Sequence, residues 1–305
     1  MSFESSPLRT SFYGERKEQP LPLSVSERVH AILSAEGISA PPLEFHIALI
    51  QHNSVKDAEG LKKVFNDSDI FIPEGFDYNE KDTKDLNDLA QGRVTPEALY
   101  RKLIGDTRKQ HIVIDLLARL RKLPISGDGF HDGLWRMIFN SKKHIAYADV
   151  GDQSSLLQPF EKWLENIPLI FEKVVSDKTL SYVDARQLMF TENRNFGLVN
   201  RERERIMLKN LPEVIANVVR QNPELQKPHR KTPIKISMFL GVAHETVPKV
   251  LRSSGDKVAT YISPQGQSFS RFINRTVTKT LVEEEPDVIE GDRDLLTSIF
   301  VVMYH

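Results

Sequence analysis

The chain holds 305 residues, enough for one large domain or two modest ones with a sizeable buried core. Lys plus Arg number 41 against 42 Asp plus Glu, a formal net charge of -1, so the basic excess of a dedicated nucleic-acid binder is absent. With no cysteine, the sequence excludes disulfide frameworks, thiolate zinc fingers, iron–sulfur clusters and a cysteine nucleophile, which leaves His and carboxylates as the only strong metal ligands.

Residues 1–19 are polar and aperiodic, and they lack the apolar core of a signal peptide. No stretch approaches the roughly 20 apolar residues that span a bilayer. The expectation is a cytoplasmic protein without a membrane span. A helix is expected over 26–36, bracketed by Pro20, Pro22, Pro41 and Pro42.

Four short apolar runs follow, at 45–50, 70–72, 145–148 and 234–240, each reading as a buried strand. A helix over 58–65 separates the first two. Helical patterns at 86–90, 96–104 and 110–120 fill an insertion between the second and third, at about 77–142. Long amphipathic helices are expected over 153–175 and 195–219. A short helix at 245–252, a stop at Ser253, Ser254 and Gly255, and a strand at 258–262 complete a further βα unit. Residues 295–304 are apolar enough to pack on the sheet as strand or helix. Alternation of this kind implies an α/β fold, a central, mostly parallel sheet covered by helices. The expected organisation is a tail and entry helix over 1–42, an α/β domain over 43–265, and a segment over 266–305 packed on the same domain.

In open α/β sheets, ligands gather beyond the carboxyl ends of the strands. The first run ends in Ile50, Gln51 and His52, the second in Pro73, Glu74 and Gly75, the third in Ala148 and Asp149, and the fourth in Gly241, Val242, Ala243 and His244. Two imidazoles and two carboxylates would thus share one rim. His52, Glu74, Asp149 and His244 form a donor set suited to a divalent transition metal: manganese, cobalt, zinc or iron. Such an ion lowers the pKa of a bound water, and Glu74 or Asp149, if not needed as ligand, could serve as general base. The competing reading takes each as a turn former or helix cap, Asp149 above all because Gly151 follows it.

Other candidates are His46, on the same face of the first strand as His52 but at its far end, which reads as structural. The loop 127–133, with three glycines, one His and two Asp, reads as a turn cluster or, alternatively, a lid. The basic stretch 227–231 reads as a solvated loop. In the charge run 200–205, Arg201 and Arg205 share a helix face while Arg203 points elsewhere. One arginine at this place could hold an anionic group or stabilise a developing oxyanion, the alternative being a self-paired solvated surface.

The segment from Arg203 through Glu204, Arg205, Ile206, Met207, Leu208 and Lys209 to Asn210 and Leu211 resembles the R-D-x-x-M-A-x-N-hydrophobic helix of the superfamily that joins TraB, Tiki, ChaN-like haem-uptake proteins and erythromycin esterases. Ile236 to His244 resembles its apolar strand ending in GxxH, and Ile70 to Glu74 its strand ending in glutamate. The first GxxH signature is matched by Ala48 to His52, with Leu49 where glycine is expected. The resemblance implies an α/β domain whose site uses the two histidines, the glutamate and the arginine helix, with metal-dependent peptidase or esterase activity. Under it, Glu74, Arg203 and His244 are the expected catalytic residues, and the partner is a peptide or small-molecule substrate. The alternative function is a non-catalytic ligand- or peptide-binding protein on the same fold; an interaction scaffold is a third.

Overall fold

The computed structural model describes residues 23–50, 55–75, 79–99, 128–151, 154–156, 181–241 and 244–263, with isolated positions between 158 and 179. Its elements in chain order are α1 (Val25–Ala35), β1 (Leu43–Ile50), α2 (Val55–Asn66), β2 (Ile70–Pro73), α3 (Glu80–Ala90), α4 (Asp128–Ile138), β3 (His144–Ile145), α5 (Tyr182–Gln221), a 3-10 turn (Pro223–Leu225), β4 (Ile234–Gly241), α6 (Thr246–Ser253) and β5 (Val258–Ile262).

The five strands form one parallel sheet in the order β3-β2-β4-β1-β5. Because successive side chains point to opposite faces, the strands sort their apolar residues into two layers. Phe45, Ile47 and Leu49 of β1, Ile70 and Ile72 of β2, and Ile236, Met238 and Leu240 of β4 meet α1, α5 and α6 on one face. Ala48, Ile50, Phe71 and Phe239 meet α2, α3 and α4 on the other. There Phe71 packs edge-on against Phe65 and Phe239, with ring centroids 5.1 and 4.7 Å apart.

Local chemistry sets the helix ends. At α1, Ser24 and Glu27 form a reciprocal capping box, and Asp256, in the loop before β5, accepts from the Val25 and Ser26 amides at 2.9 Å each. At α3, Asn79 and Asp82 form the same device.

α5 carries 40 residues, so it runs about 60 Å. Pro212 inside it lacks the N–H that would bond the Leu208 carbonyl. The Arg28 guanidinium supplies the missing donor, its Nη2 lying 3.1 Å from the Leu208 oxygen, and this ties α1 to α5.

Two expectations are corrected. The glycine-bearing stretch expected as a loop at 127–133 is helical from Asp128 onward as part of α4. Leu134 and Ile138, four residues apart, pack with Leu61 and Phe65, and this burial outweighs the ~1 kcal/mol that each glycine costs a helix. The third strand, expected over 145–148, pairs only at His144 and Ile145. On its outer edge the Asn87 side chain takes the place of another strand, donating to the Ile145 carbonyl at 2.8 Å and accepting the Ile145 amide at 3.0 Å. The helix expected at 110–120 and the apolar segment at 295–304 lie outside the described residues, as does most of 153–175.

Candidate active site

Parallel register delivers the site. Pro73 stands opposite Phe239, and Ile50 opposite Gly241, so β1, β2 and β4 end at nearly one level. One residue beyond β2, the Glu74 amide donates to the Phe239 carbonyl at 2.8 Å, and the Gly241 amide in turn donates to Glu74 Oε2. Glu74 is thereby held over the carboxyl end of β4. Asp149 comes from the segment after β3, which Asn210 fixes by donating from Nδ2 to the Ala148 carbonyl at 3.2 Å.

Arg203 of α5 lies between these two acids. Its Nη2 is 2.6 Å from Asp149 Oδ2 and 3.1 Å from Glu74 Oε1, and its Nε is 3.4 Å from Asp149 Oδ1. Asp149 also accepts the Gly75 amide at 3.2 Å and its neighbour Val150's amide at 2.8 Å. His244, just past β4, places Nε2 3.2 Å from Glu74 Oε1 and Nδ1 3.5 Å from Glu204 Oε1. The Nδ1 and Glu204 Oε1 atoms are buried and complete no hydrogen bond among the described residues. Side-chain exposure is 1% for Asp149, 2% for His244, 5% for Glu204 and 6% for Arg203, against 15% for Glu74, so Glu74 is the member that solvent reaches most.

The charges are interdependent. Burial pushes the His244 imidazole down, but the Glu74 charge and the Glu204 carboxylate outweigh it, Arg203 opposing them, and the net pKa is pushed up to about 9. His244 is therefore an imidazolium at neutral pH. Burial pushes the Asp149 carboxyl above its ordinary range although Arg203 pulls the other way. Arg203 itself is raised: burial opposes its charge, and Glu74 and Asp149 together overcome that.

Of the residues singled out from the sequence, Glu74, Asp149, Arg203 and His244 are brought together. His52 lies outside the described residues. Leu49, where the resemblance expects a glycine, is a strand residue paired with Leu240 and Ile262 and buried in the core. His46 sits within β1 with Nε2 3.9 Å from Glu44, away from the rim, as a structural residue would. In the basic stretch 227–231, Arg230 grips Asp69 with two bonds of 2.7 Å. Arg205 is exposed and paired with Glu202 at 2.6 Å.

Glu204 was missed by sequence reasoning, although a signal existed. Leu211 and Met207 belong to the buried stripe of α5, and extending that stripe backward by helical steps reaches Glu204, Arg203 and Asn200, all buried. Polar residues at core positions of a helix mark a buried polar cluster.

The donor set has the imidazole and carboxylate chemistry of a transition-metal site, but its arrangement does not fit a dication held by Glu74 and Asp149. Both oxygens of each carboxylate already accept from Arg203, His244 or backbone amides. Among the described residues no three His, Asp or Glu side chains are grouped to hold a metal ion. Among the described residues no helix is long and apolar enough to cross a membrane.

A cleft of about 670 Å³ adjoins the cluster, lined by Asn79, Glu80 and Thr83 of the α3 start, by Tyr147, Asp149, Val150, Gly151 and Ser154 after β3, and by Ile206 and Asn210 of α5. Comparison with known proteins gave no match to a family model, to a curated protein or to a solved structure.

Proposed function

We propose that the protein is a hydrolase of an amide or ester bond, with its site at the carboxyl ends of β2 and β4. The observation that carries this reading is the buried imidazolium of His244 set between Glu74 and Glu204, with Arg203 joining Glu74 to Asp149. Clusters of mutually perturbed titratable groups beside a cleft favour acid–base chemistry.

In this reading Glu74, the member most accessible to solvent, takes a proton from the attacking water. His244, which keeps its proton up to about pH 9, hands one to the leaving group. Arg203 keeps the two neighbouring acids tolerable to one another and supplies positive charge toward a developing oxyanion. Glu204 is a positioning residue, facing the second ring nitrogen and orienting the imidazole.

The test is a panel of fluorogenic peptide amides and carboxylic esters, assayed with the wild type and with Glu74→Gln and His244→Gln. Expected is hydrolysis by the wild type that falls by roughly two to four orders of magnitude in either variant while each stays folded. An inert wild type, or a fully active His244→Gln, overturns the reading. Elemental analysis of protein purified without chelator checks the expected manganese, cobalt, zinc or iron. Near-stoichiometric metal that disappears in the His244 variant would make the hydrolysis metal-dependent, at the cost of the Glu74–Arg203 contact and the His244 proton.

A second reading, a binding protein without turnover, draws on the occupancy of the cluster. Glu74 and Asp149 are engaged by protein donors at every oxygen, as in a site built for rigidity. Ligand-induced stabilisation without any hydrolysis would select it.

A further inference from the structure

We propose that His244 Nδ1, Glu204 Oε1 and Asn200 Oδ1 form a site for a divalent transition ion of the zinc and cobalt type, on the ring nitrogen that Glu74 does not use. The inference does not rest on the hydrolase reading, since the ion binds whether or not the cluster turns a substrate over.

Three features carry it. First, the atoms lack partners. Asn200 stands one helical turn before Glu204 on the same face of α5, and it is only 6% exposed. Its Oδ1 completes no hydrogen bond among the described residues, and the same holds for Glu204 Oε1 and His244 Nδ1. Buried polar atoms are almost always paired, so three orphans from two neighbouring turns and the facing imidazole point to a guest that binds them. Helical side chains lean toward the N-terminus, which inclines Glu204 toward the turn that carries Asn200. Two ligands four residues apart on one helix face are a recurrent way to hold a single ion.

Second, the spacing suits an ion better than a hydrogen bond. His244 Nδ1 and Glu204 Oε1 are 3.5 Å apart, long against the ~2.9 Å of an ordinary N–H···O bond. Two ligands of a tetrahedral ion, each bonded at about 2.1 Å, stand about 3.4 Å from one another. On the other side of the ring, Nε2 lies 3.2 Å from Glu74 Oε1. A metal-bound histidine ordinarily donates its second ring N–H to just such a carboxylate, which fixes the tautomer and the ring plane.

Third, the formal charges balance. With the ring neutral, the three carboxylates of Glu74, Asp149 and Glu204 face the single cation Arg203, which leaves two negative charges for a dication to offset. The ion takes the place of the Nδ1 proton, which leaves to solvent, while Nε2 keeps its hydrogen toward Glu74. Unlike an ion held by Glu74 and Asp149, this one leaves every contact of Arg203 with those acids in place. Only two members of the set are His or carboxylate. The third is an amide oxygen, and a water completes the tetrahedron.

The experiment uses the full chain, stripped with chelator and titrated with zinc or cobalt chloride. Calorimetry is expected to show one ion per chain with a Kd of about 10 μM or tighter, and cobalt to give the intense visible bands of a tetrahedral site. The melting temperature should rise with either ion by mass action. Glu204→Gln and His244→Gln should each abolish binding, and Asn200→Ala should weaken it about tenfold or more. Loss in Glu204→Gln is what separates this site from an ion held by Glu74 and Asp149. Asn200→Ala removes a buried oxygen that has no hydrogen bond, so the metal-free variant should keep or exceed the wild-type melting temperature while its metal-induced rise shrinks. No binding of either ion, binding unchanged in Glu204→Gln or in Asn200→Ala, or a weak, octahedral-type cobalt spectrum overturns the proposal. Ion binding without hydrolysis in any form sinks the hydrolase reading alone, and hydrolysis by a protein that binds neither ion sinks this proposal alone.

Discussion

His244 and Glu74 stand 170 residues apart in the chain, yet their side chains meet at 3.2 Å between Nε2 and Oε1. That contact makes stability depend on a proton. The imidazole pKa lies near 9 in the folded protein against 6.5 ordinarily, so the folded state binds the proton more tightly. The stabilisation is fully present below about pH 6.5, falls between 6.5 and 9 as the unfolded chain alone gives up its proton, and is lost above about 9. Its size is on the order of 3 kcal/mol. Urea denaturation from pH 6 to pH 10 should show this decline in the wild type and a much flatter profile in His244→Gln. Parallel profiles would mean that His244 does not hold its proton.

Arg203 is what lets Glu74 and Asp149 be neighbours. Arg203→Met leaves both acids close together and largely buried without their cation, which should cost about 3–5 kcal/mol at neutral pH. Protonation relieves that penalty, so the gap between variant and wild type should narrow as pH falls toward 5. Arg203→Lys retains the charge but loses the second bond, from Nε to Asp149 Oδ1, and the planar fork that fixes Nη2 between the two acids, and should lie between the two. Denaturation midpoints of the three proteins at pH 5 and pH 7.5 check the order, and an Arg203→Met protein as stable as wild type at pH 7.5 contradicts it.

The Arg28 bond to the Leu208 carbonyl has meaning only because Pro212 leaves that carbonyl without its helical donor. Arg28→Ala is expected to cost about 1–2 kcal/mol. In a Pro212→Ala background, where residue 212 again supplies an N–H, the same substitution should cost clearly less. A double-mutant cycle read by thermal or urea unfolding measures the difference, and a coupling energy near zero refutes the compensation.

Much of this architecture was legible from the sequence, because its signals are periodic and local. The strands at Ile70–Pro73, Ile234–Gly241 and Val258–Ile262 lie within a residue of the expected runs, since an apolar run between polar turns has little freedom of assignment. The rim residues Glu74, Asp149 and His244 were legible for a similar reason: in a parallel sheet the residue after a strand has a fixed end to occupy. Arg203 was legible as a charge out of phase with Arg201 and Arg205. What the sequence did not disclose is pairing. That Arg203 spans both acids, and that Glu204 rather than a second rim residue faces His244 Nδ1, depends on the rotation of α5 about its axis. The helix at Asp128–Ile138 escaped because local glycines argued against it while the deciding contacts, with Leu61 and Phe65, lie far away in the chain. Leu49 shows the same limit: at the place of a motif glycine, its role is settled by Leu240 and Ile262 beside it.

The edge of the sheet offers a last test. Asn87 bonds both the amide and the carbonyl of Ile145, so one side chain completes the outer ladder of the two-residue strand β3. Its Nδ2 also donates to the Thr83 carbonyl within α3, and this fixes the amide so that its oxygen faces the Ile145 amide. Asn87→Ala leaves both backbone groups of Ile145 without these partners and should cost about 2–3 kcal/mol. Asn87→Asp keeps the acceptor for the Ile145 amide but sets a carboxylate against the Ile145 and Thr83 carbonyls, so it should be no better than alanine at neutral pH and should recover when the carboxyl is protonated. Hydrogen exchange at the Ile145 amide is the decisive readout. Fast exchange in Asn87→Ala at Ile145 and at Phe71, whose amide faces β3, with protection retained at Ile72, whose amide faces β4, would show β3 releasing from the sheet alone, whereas unchanged protection at Ile145 would show that Asn87 is not what holds it.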